Sequence, residues 1–340
     1  MIRVAMLSFW HVHARDYKRQ ALEHPDTQIV AAWDEEPDRG RQQAQELGVP
    51  FYENLAELLA QDDIDAVIVD TPTNMHRDVM IAAAQAGKHI FTEKVIATTL
   101  HECNEIIAAV EQAGVKLTVS LPRMNAGYTQ AIRSVMQQQQ LGQATEVRVR
   151  LSHNGAVPTS ENTQGWLPAH FFNAEQCGGG AMIDLGCHPM YLTRLFLGMP
   201  ESVSASYGYV TGREVEDNAV VTLRYPNGAV GIVEAGFVNR FSPFSIEAHG
   251  TEGSLFFGTP VDTLLIRSTR SGTPGGDKWH TVATLPEDLP GAFQQWVGHI
   301  QQGTTATENI QTAIELTVLM EAANLSAHSN QAVQLASLKQ

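Results

Sequence analysis

The chain has 340 residues, is 43% hydrophobic and 17% charged, and carries a formal net charge of −15 at pH 7. That length exceeds what one ordinary core encloses, so two domains are expected, and the composition is globular rather than disordered. An acidic chain with no basic run repels phosphate backbones and anionic bilayers, which argues against nucleic-acid and membrane partners.

Three sparse cysteines, Cys103, Cys177 and Cys187, make no disulfide framework and point to a reducing compartment. The amino terminus lacks a signal h-region, and no stretch approaches the ~18 apolar residues of a membrane span. A soluble, cytoplasmic protein is the expectation.

The chain opens on an apolar run at 2–7 (IRVAML), then LSFWHVHA at 7–14, then a helical pattern at 14–23. Strand-like runs recur at 29–33, 66–69, 89–92 and 116–120. Helical patterns at 39–46, 55–60, 78–86 and 100–113 alternate with them. This rhythm predicts an α/β Rossmann domain, a doubly wound parallel sheet, over residues 1–122. From residue 123 the pattern changes. A helix at 128–139 precedes β-branched or alternating runs at 146–151, 202–209, 219–225, 229–235, 244–249 and 254–257. Pro226-Asn227-Gly228 marks a hairpin between two of them. With a closing helix at 307–329, residues 123–340 read as an α+β domain. It is built on a large, mostly antiparallel open sheet, suited to substrate binding and oligomerisation.

Four stretches carry candidate chemistry. VAAWDEEPDR puts Asp34 directly after the second strand, 26 residues beyond Ser8. A carboxylate there accepts hydrogen bonds from both adenosine ribose hydroxyls and repels a 2′-phosphate; the competing reading is a helix cap. TPTNMH (71–76) follows the third strand. Open α/β sheets bind ligands at such strand ends. Thr71, Thr73 and Asn74 offer donors and Pro72 stiffens the loop, although an ordinary turn explains these residues equally well. FTEKV (91–95) sets Glu93 and Lys94 after the fourth strand. An ammonium there can orient a hydroxyl and favour its deprotonation, although most lysines merely decorate surfaces.

The fourth stretch is GGGAMIDLGCHPMYL (178–192), where Asp184 and His188 stand four apart on one helix face. A carboxylate beside an imidazole suits general acid–base work near neutral pH. The same spacing is half of a metal site, with His153 and His170 the nearest thing to a third ligand. A purely structural Asp–His tie is the other alternative, and no metal is expected.

Together these stretches resemble the Gfo/Idh/MocA family of nicotinamide-dependent oxidoreductases over nearly the whole chain. The family's E-K-P motif is matched by Glu93-Lys94-Val95. Its G-G-G-x-x-x-D-x-G-x-H segment is matched by Gly178, Gly179, Gly180, Asp184, Gly186 and His188. VEDNAVVTLRYPNGAVG (215–231), IEAHGTEGSL (246–255) and Ser326 ahead of AVQL (332–335) add support.

The resemblance implies an enzyme that moves hydride between a nicotinamide cofactor, NAD rather than NADP, and a hydroxyl or carbonyl of a sugar, inositol or related polyol. It implies Lys94, Asp184 and His188 as catalytic groups. Lys94 and His188 would bind the reacting hydroxyl, and His188 would take its proton. Asp184 would hold His188 or touch a neighbouring hydroxyl. On the cofactor side it implies Ser8, Trp10, His11 and Val12 of the first loop, and Asp34 on the ribose. Thr71, Pro72, Thr73, His76, Glu93 and Lys94 would complete that side. Arg123, Asn154, Trp166 and His170 would join the catalytic groups around the substrate. A homodimer or homotetramer is implied as well.

There are two departures from the family pattern. Val95 replaces its proline, and LSFWHVH stands where G-x-G-x-x-G belongs, with Ser8, Trp10 and His13 at the glycine positions. A side chain at Trp10 crowds the phosphates, yet amides at a helix N-terminus bind phosphate whatever the side chain. The Ser8 hydroxyl and an imidazole N–H of His11 or His13 could also help. A displaced or weakened cofactor site is therefore expected rather than none. The alternatives are a non-catalytic sensor of the same fold and a glycosidase-type enzyme using tightly held NAD.

Overall fold

The computed structural model describes residues 1–160, 162–270, 272 and 275–338. The chain divides into two compact units, Met1–Leu121 with Pro290–Thr317, and Pro122–Leu289 with the segment from Val318 onward.

The first unit holds six strands: β1 (Ile2–Leu7), β2 (Thr27–Trp33), β3 (Phe51–Tyr52), β4 (Ala66–Val69), β5 (His89–Thr92) and β6 (Leu117–Val119). They form one parallel sheet in the order β3-β2-β1-β4-β5-β6. This is the doubly wound order, and the strand order reverses between β1 and β4. β4 is buried at every residue and β1 at all but Arg3, as strands covered on both faces must be. The intervening helices are α1 (Ala14–Glu23), α2 (Pro37–Leu47), α3 (Leu55–Leu59), α4 (His76–Gln85) and α5 (Leu100–Ala113). Local chemistry sets their ends. The Thr99 hydroxyl accepts the Glu102 N–H at 3.2 Å to start α5, and Gly114 stops it in the left-handed region.

The second unit contains α6 (Gly127–Gln137), β7 (Ala144–Ser152), α7 (Ala174–Cys177) and α8 (Cys187–Leu197). Then come β8 (Ser202–Gly208), β9 (Asn218–Arg224), β10 (Val230–Gly236), β11 (Ser245–Gly250), β12 (Gly253–Gly258), β13 (Thr263–Ser268) and β14 (His280–Thr281). Past α9 (Ala292–Gln302) and α10 (Thr307–Ser329), a short β15 (Val333–Gln334) pairs with β8. The nine-stranded sheet runs β14-β13-β12-β11-β7-β10-β9-β8-β15, and only the β7–β10 pair is parallel. The expected hairpin joins β9 to β10, with Gly228 at φ 85°. α8 packs across β7 and β10, so a residue early in α8 is fixed against the middle of the sheet.

Three strands and two helices arise that the sequence pattern did not mark: β3, β13, β14, α7 and α9. α9 belongs to the first unit, where Phe293 and Trp296 bury against Phe91 of β5 at centroid distances of 5.5 and 5.7 Å. Tyr17 of α1 meets the same ring edge-on at 5.1 Å. This aromatic cluster anchors β5 immediately before Glu93 and Lys94.

Candidate active site

In the first unit LSFWHVHA joins β1 to α1. Ser8 has φ 78°, the left-handed conformation for which a fingerprint glycine is normally chosen. Its oxygen accepts the Trp10 N–H at 3.1 Å, a local bond that helps hold the turn. Trp10 is only 6% exposed, whereas Val12 faces solvent. The His13 N–H donates to His11 Nδ1 at 3.2 Å.

Asp34 is heavily engaged. Oδ2 accepts the Phe9 N–H and Arg39 Nε–H, both at 2.9 Å, while Oδ1 accepts Arg39 Nη2–H and the Glu36 N–H, both at 2.7 Å. The carboxylate thus ties the loop after β1 to the start of α2.

The loop after β4 carries Thr71 and Pro72, both buried, and the half-buried Thr73. His76 is 1% exposed, and its ring sits among main-chain carbonyls: Nδ1 at 2.9 Å from Val95 O, Nε2 at 3.2 Å from Thr71 O. Burial pushes its pKa down. The geometry therefore gives His76 the work of fastening the loop after β4 to the loop after β5.

Glu93 and Lys94 are almost wholly buried, with Lys94 Nζ 3.8 Å from Glu93 Oε1. The peptide between Lys94 and Val95 is cis. The other carboxylate oxygen turns toward α1. Glu93 Oε2 accepts the Tyr17 hydroxyl, lies 3.1 Å from His13 Nδ1, and lies 3.8 Å from His11 Nδ1. Burial alone would raise the Glu93 pKa. The nearby imidazoles and Lys94 more than offset it and hold the carboxyl well below the usual range. Next to β4, Asp70 is fully buried and neither of its carboxyl oxygens has a hydrogen-bond partner. Burial, then the charge of Glu93, pushes its pKa well up.

In the second unit the glycine run leads into a π-helical turn, Met182–Gly186, which carries Asp184 and passes directly into α8. A π-turn spreads its residues more widely than an α-turn, so the plain four-residue helical spacing expected for Asp184 and His188 is locally altered. His188 is 6% exposed; its Nδ1 lies 3.1 Å from the Tyr191 hydroxyl, which accepts the Arg123 N–H at 3.0 Å. The Arg123 guanidinium lies 4.2 Å from the Phe244 ring centre and donates to Tyr128 Oη at 3.2 Å. Arg123 is thereby coupled to His188 through Tyr191. Asn154 Oδ1 accepts the Trp166 indole N–H at 3.3 Å, and Trp166 packs 4.7 Å from His153. The His170 ring lies 5.1 Å from Phe171.

Two second-unit residues were not singled out from sequence. Tyr191 is one. The other is Glu216, 3% exposed, whose carboxylate accepts the Gly180 and Met182 N–H groups, each at 2.8 Å. It anchors the start of the π-turn. Gly180 is required there, because a Cβ would sit 2.1 Å from Glu216 O. The glycine run itself was the available signal, since glycine marks close backbone approach. Lys94 and the cofactor-side residues belong to the first unit; Arg123, Asn154, Trp166, His170, Asp184 and His188 belong to the second.

Residues 6–121 match the oxidoreductase family, NAD-binding Rossmann fold, and residues 129–256 match the GFO/IDH/MocA C-terminal domain. The chain belongs to the Gfo/Idh/MocA family. Among Gfo/Idh/MocA relatives, 1,5-anhydro-D-fructose reductase of Ensifer adhaerens is 29% identical over 87% of this chain and 89% of its own. The scyllo-inositol 2-dehydrogenase (NAD(+)) of Bacillus subtilis (strain 168) is 30% identical over 76% of this chain and 74% of its own. A levoglucosan dehydrogenase in complex with NADH and levoglucosan aligns with a TM-score of 0.79 at 22% identity over 98% of both chains, which shows the shared fold. The protein is accordingly an oxidoreductase-family member with an NAD-binding Rossmann domain. Among the described residues no helix is long and apolar enough to cross a membrane.

Proposed function

We propose that the chain is an NAD-dependent dehydrogenase or reductase acting on a CH–OH or carbonyl group of a sugar, inositol or related polyol, with Lys94, Asp184 and His188 as its catalytic groups. The observation that carries this reading is the hydrogen-bonded relay of His188, Tyr191 and Arg123. If Nδ1–H is given to the Tyr191 oxygen, Nε2 keeps a lone pair that can take a proton from a hydroxyl. Tyr191 fixes the ring, and the Arg123 N–H fixes the tyrosine oxygen. Asp184, one turn earlier, would bind a neighbouring substrate hydroxyl. Lys94, buried beside Glu93, supplies the positive charge that stabilises a developing alkoxide.

The residues fit a dinucleotide in one respect and strain it in another. Ser8 adopts the left-handed turn of the first fingerprint glycine, which favours the usual loop path. Asp34 is occupied by Arg39, which is consistent with a weakened adenosine site. Thr71, Pro72 and Thr73 would lie along the cofactor at the strand ends. The bound nicotinamide would supply or accept the hydride. The sugar and inositol activities carried in the names of the relatives support the substrate class.

One face of the nine-stranded sheet carries exposed Val220 and Val230 on the adjacent strands β9 and β10 and exposed Phe256 on β12, and it suits pairing with a second copy in a homodimer or homotetramer.

The test begins with thermal stability in the presence of each nicotinamide cofactor. Saturation at ~100 times the dissociation constant adds about 2.7 kcal/mol. Absence of any shift defeats the proposal. Given binding, a polyol screen followed by nicotinamide absorbance should show turnover that collapses in Lys94→Ala and His188→Ala. Turnover surviving both changes means that the centre lies elsewhere.

A further inference from the structure

We propose that His11, His13 and Glu93 form a binding site for one divalent transition-metal ion of the zinc class. This goes beyond the dehydrogenase reading and does not depend on it.

The donor set comes first. Two imidazole nitrogens and one carboxylate oxygen are the mixed N/O set that zinc takes in three-ligand sites with an open fourth position. The geometry comes next. His13 Nδ1 and His11 Nδ1 lie 3.1 and 3.8 Å from the same oxygen, Glu93 Oε2, and all three donor atoms fall within 4.8 Å of one another. Donors about 2.0–2.2 Å from a tetrahedral ion stand roughly 3.3–3.5 Å apart, so the separations bracket what one shared ion needs. The imidazole rings, 4.6 Å apart and inclined by 58°, already converge.

Surrounding groups point the same way. Tyr17 donates its hydroxyl to Glu93 Oε2 from behind, the kind of outer-shell bond that orients a ligating carboxylate. Glu93 Oε1 and both oxygens of fully buried Asp70 have no hydrogen-bond partner, and Asp70 lies within electrostatic reach of Glu93. Glu93 Oε1 stands 3.8 Å from the Lys94 ammonium. Buried carboxyl oxygens that lack donors call for a cation or an equivalent donor. Loading replaces the 3.1 Å contact of His13 Nδ1 with Glu93 Oε2 and breaks the 3.2 Å contact from the His13 N–H to His11 Nδ1, which is long for its kind. The three protein donors leave a fourth position to water.

Zinc itself is the probe. The full chain is stripped with a chelator and titrated with Zn2+ by calorimetry, and with Co2+ as a spectroscopic reporter of low-symmetry N/O coordination. The expected result is one ion per chain, with affinity falling about 100-fold in His13→Gln and His11→Gln and about tenfold in Tyr17→Phe. The His13 side chain is 38% exposed, so its variant tests the site without emptying the core. His101→Gln, on a side chain 72% exposed, should leave binding unchanged. Absence of stoichiometric binding by the folded chain overturns the proposal, as does undiminished binding in both loop-histidine variants. The metal titrations contain no nicotinamide, so their failure leaves the dehydrogenase reading standing.

Discussion

Glu216 offers the sharpest test of how the second unit holds its imidazole. Its carboxylate receives two main-chain N–H groups, from Gly180 and Met182, at 2.8 Å each, in a site only 3% exposed. Charge-assisted bonds of this kind contribute roughly 1.5–3 kcal/mol each, and a buried donor left unsatisfied costs about 1–3 kcal/mol. Against that stands the cost of burying the carboxyl, which already raises its pKa. Glu216→Ala should therefore destabilise the protein by about 2–4 kcal/mol. Glu216→Gln keeps one carbonyl acceptor but turns its amide donor toward the other N–H, so roughly half that loss is expected. The two donors flank the entry to the π-turn that bears Asp184 and leads to His188. Turnover should then fall in the glutamine variant by more than its loss of folded protein accounts for. Urea unfolding gives the first quantity and steady-state kinetics on folded protein the second. An alanine variant within about 0.5 kcal/mol of the parent, with unchanged turnover, would refute the anchoring role.

Removing the hydroxyl with Tyr191→Phe should lower kcat/KM about tenfold and displace its pH profile, because His188 Nδ1 loses the oxygen that orients it; an unmoved profile would disconnect Tyr191 from the base. Asp70 has a folded pKa raised by burial and by Glu93. The neutral form is thus favoured in the folded state, and stability falls as pH rises above the ordinary Asp range (about 3.9) toward the raised folded value. Asp70→Asn should flatten that slope over the same window, as thermal melts across pH would show. Arg39 makes two bonds to Asp34 and one to Glu35. Arg39→Ala should free the carboxylate for a ribose and raise the preference for NAD over NADP about tenfold, read from the ratio of their dissociation constants.

The Rossmann unit was legible because its parallel strands are short apolar runs buried on both faces, such as IRVAML and AVIV. Periodicity also delivered α1, α5 and the long closing helix with their observed limits. What it did not deliver has a physical cause. β3 and β14 are two residues long and exist only because a neighbouring strand is there to pair with them. α9 has a narrow apolar stripe of Phe293, Trp296 and Val297, and its burial depends on Phe91, from far earlier in the chain. The return of this helix to the first unit is a long-range packing event that no local window contains.

The site was legible to the extent that its chemistry is local in sequence. Glu93 and Lys94 are adjacent, and Asp184 and His188 share one helical segment. Adjacency does not show which other groups Glu93 meets. In the fold the charged atoms of Glu93 and Lys94 stand 3.8 Å apart, while the other carboxylate oxygen takes the Tyr17 hydroxyl and the His13 imidazole. The H-x-H spacing at 11–13 was visible in the sequence; its carboxylate, at the end of β5, was not. The loop that lacks glycines therefore does more than lose a fingerprint. Ser8 supplies the turn that a glycine would have supplied, which leaves the following positions to carry side chains. Two of those side chains reach the carboxylate next to the lysine. A substitution in the loop should on this ground be felt at Lys94 through Glu93, whichever ligand the loop receives.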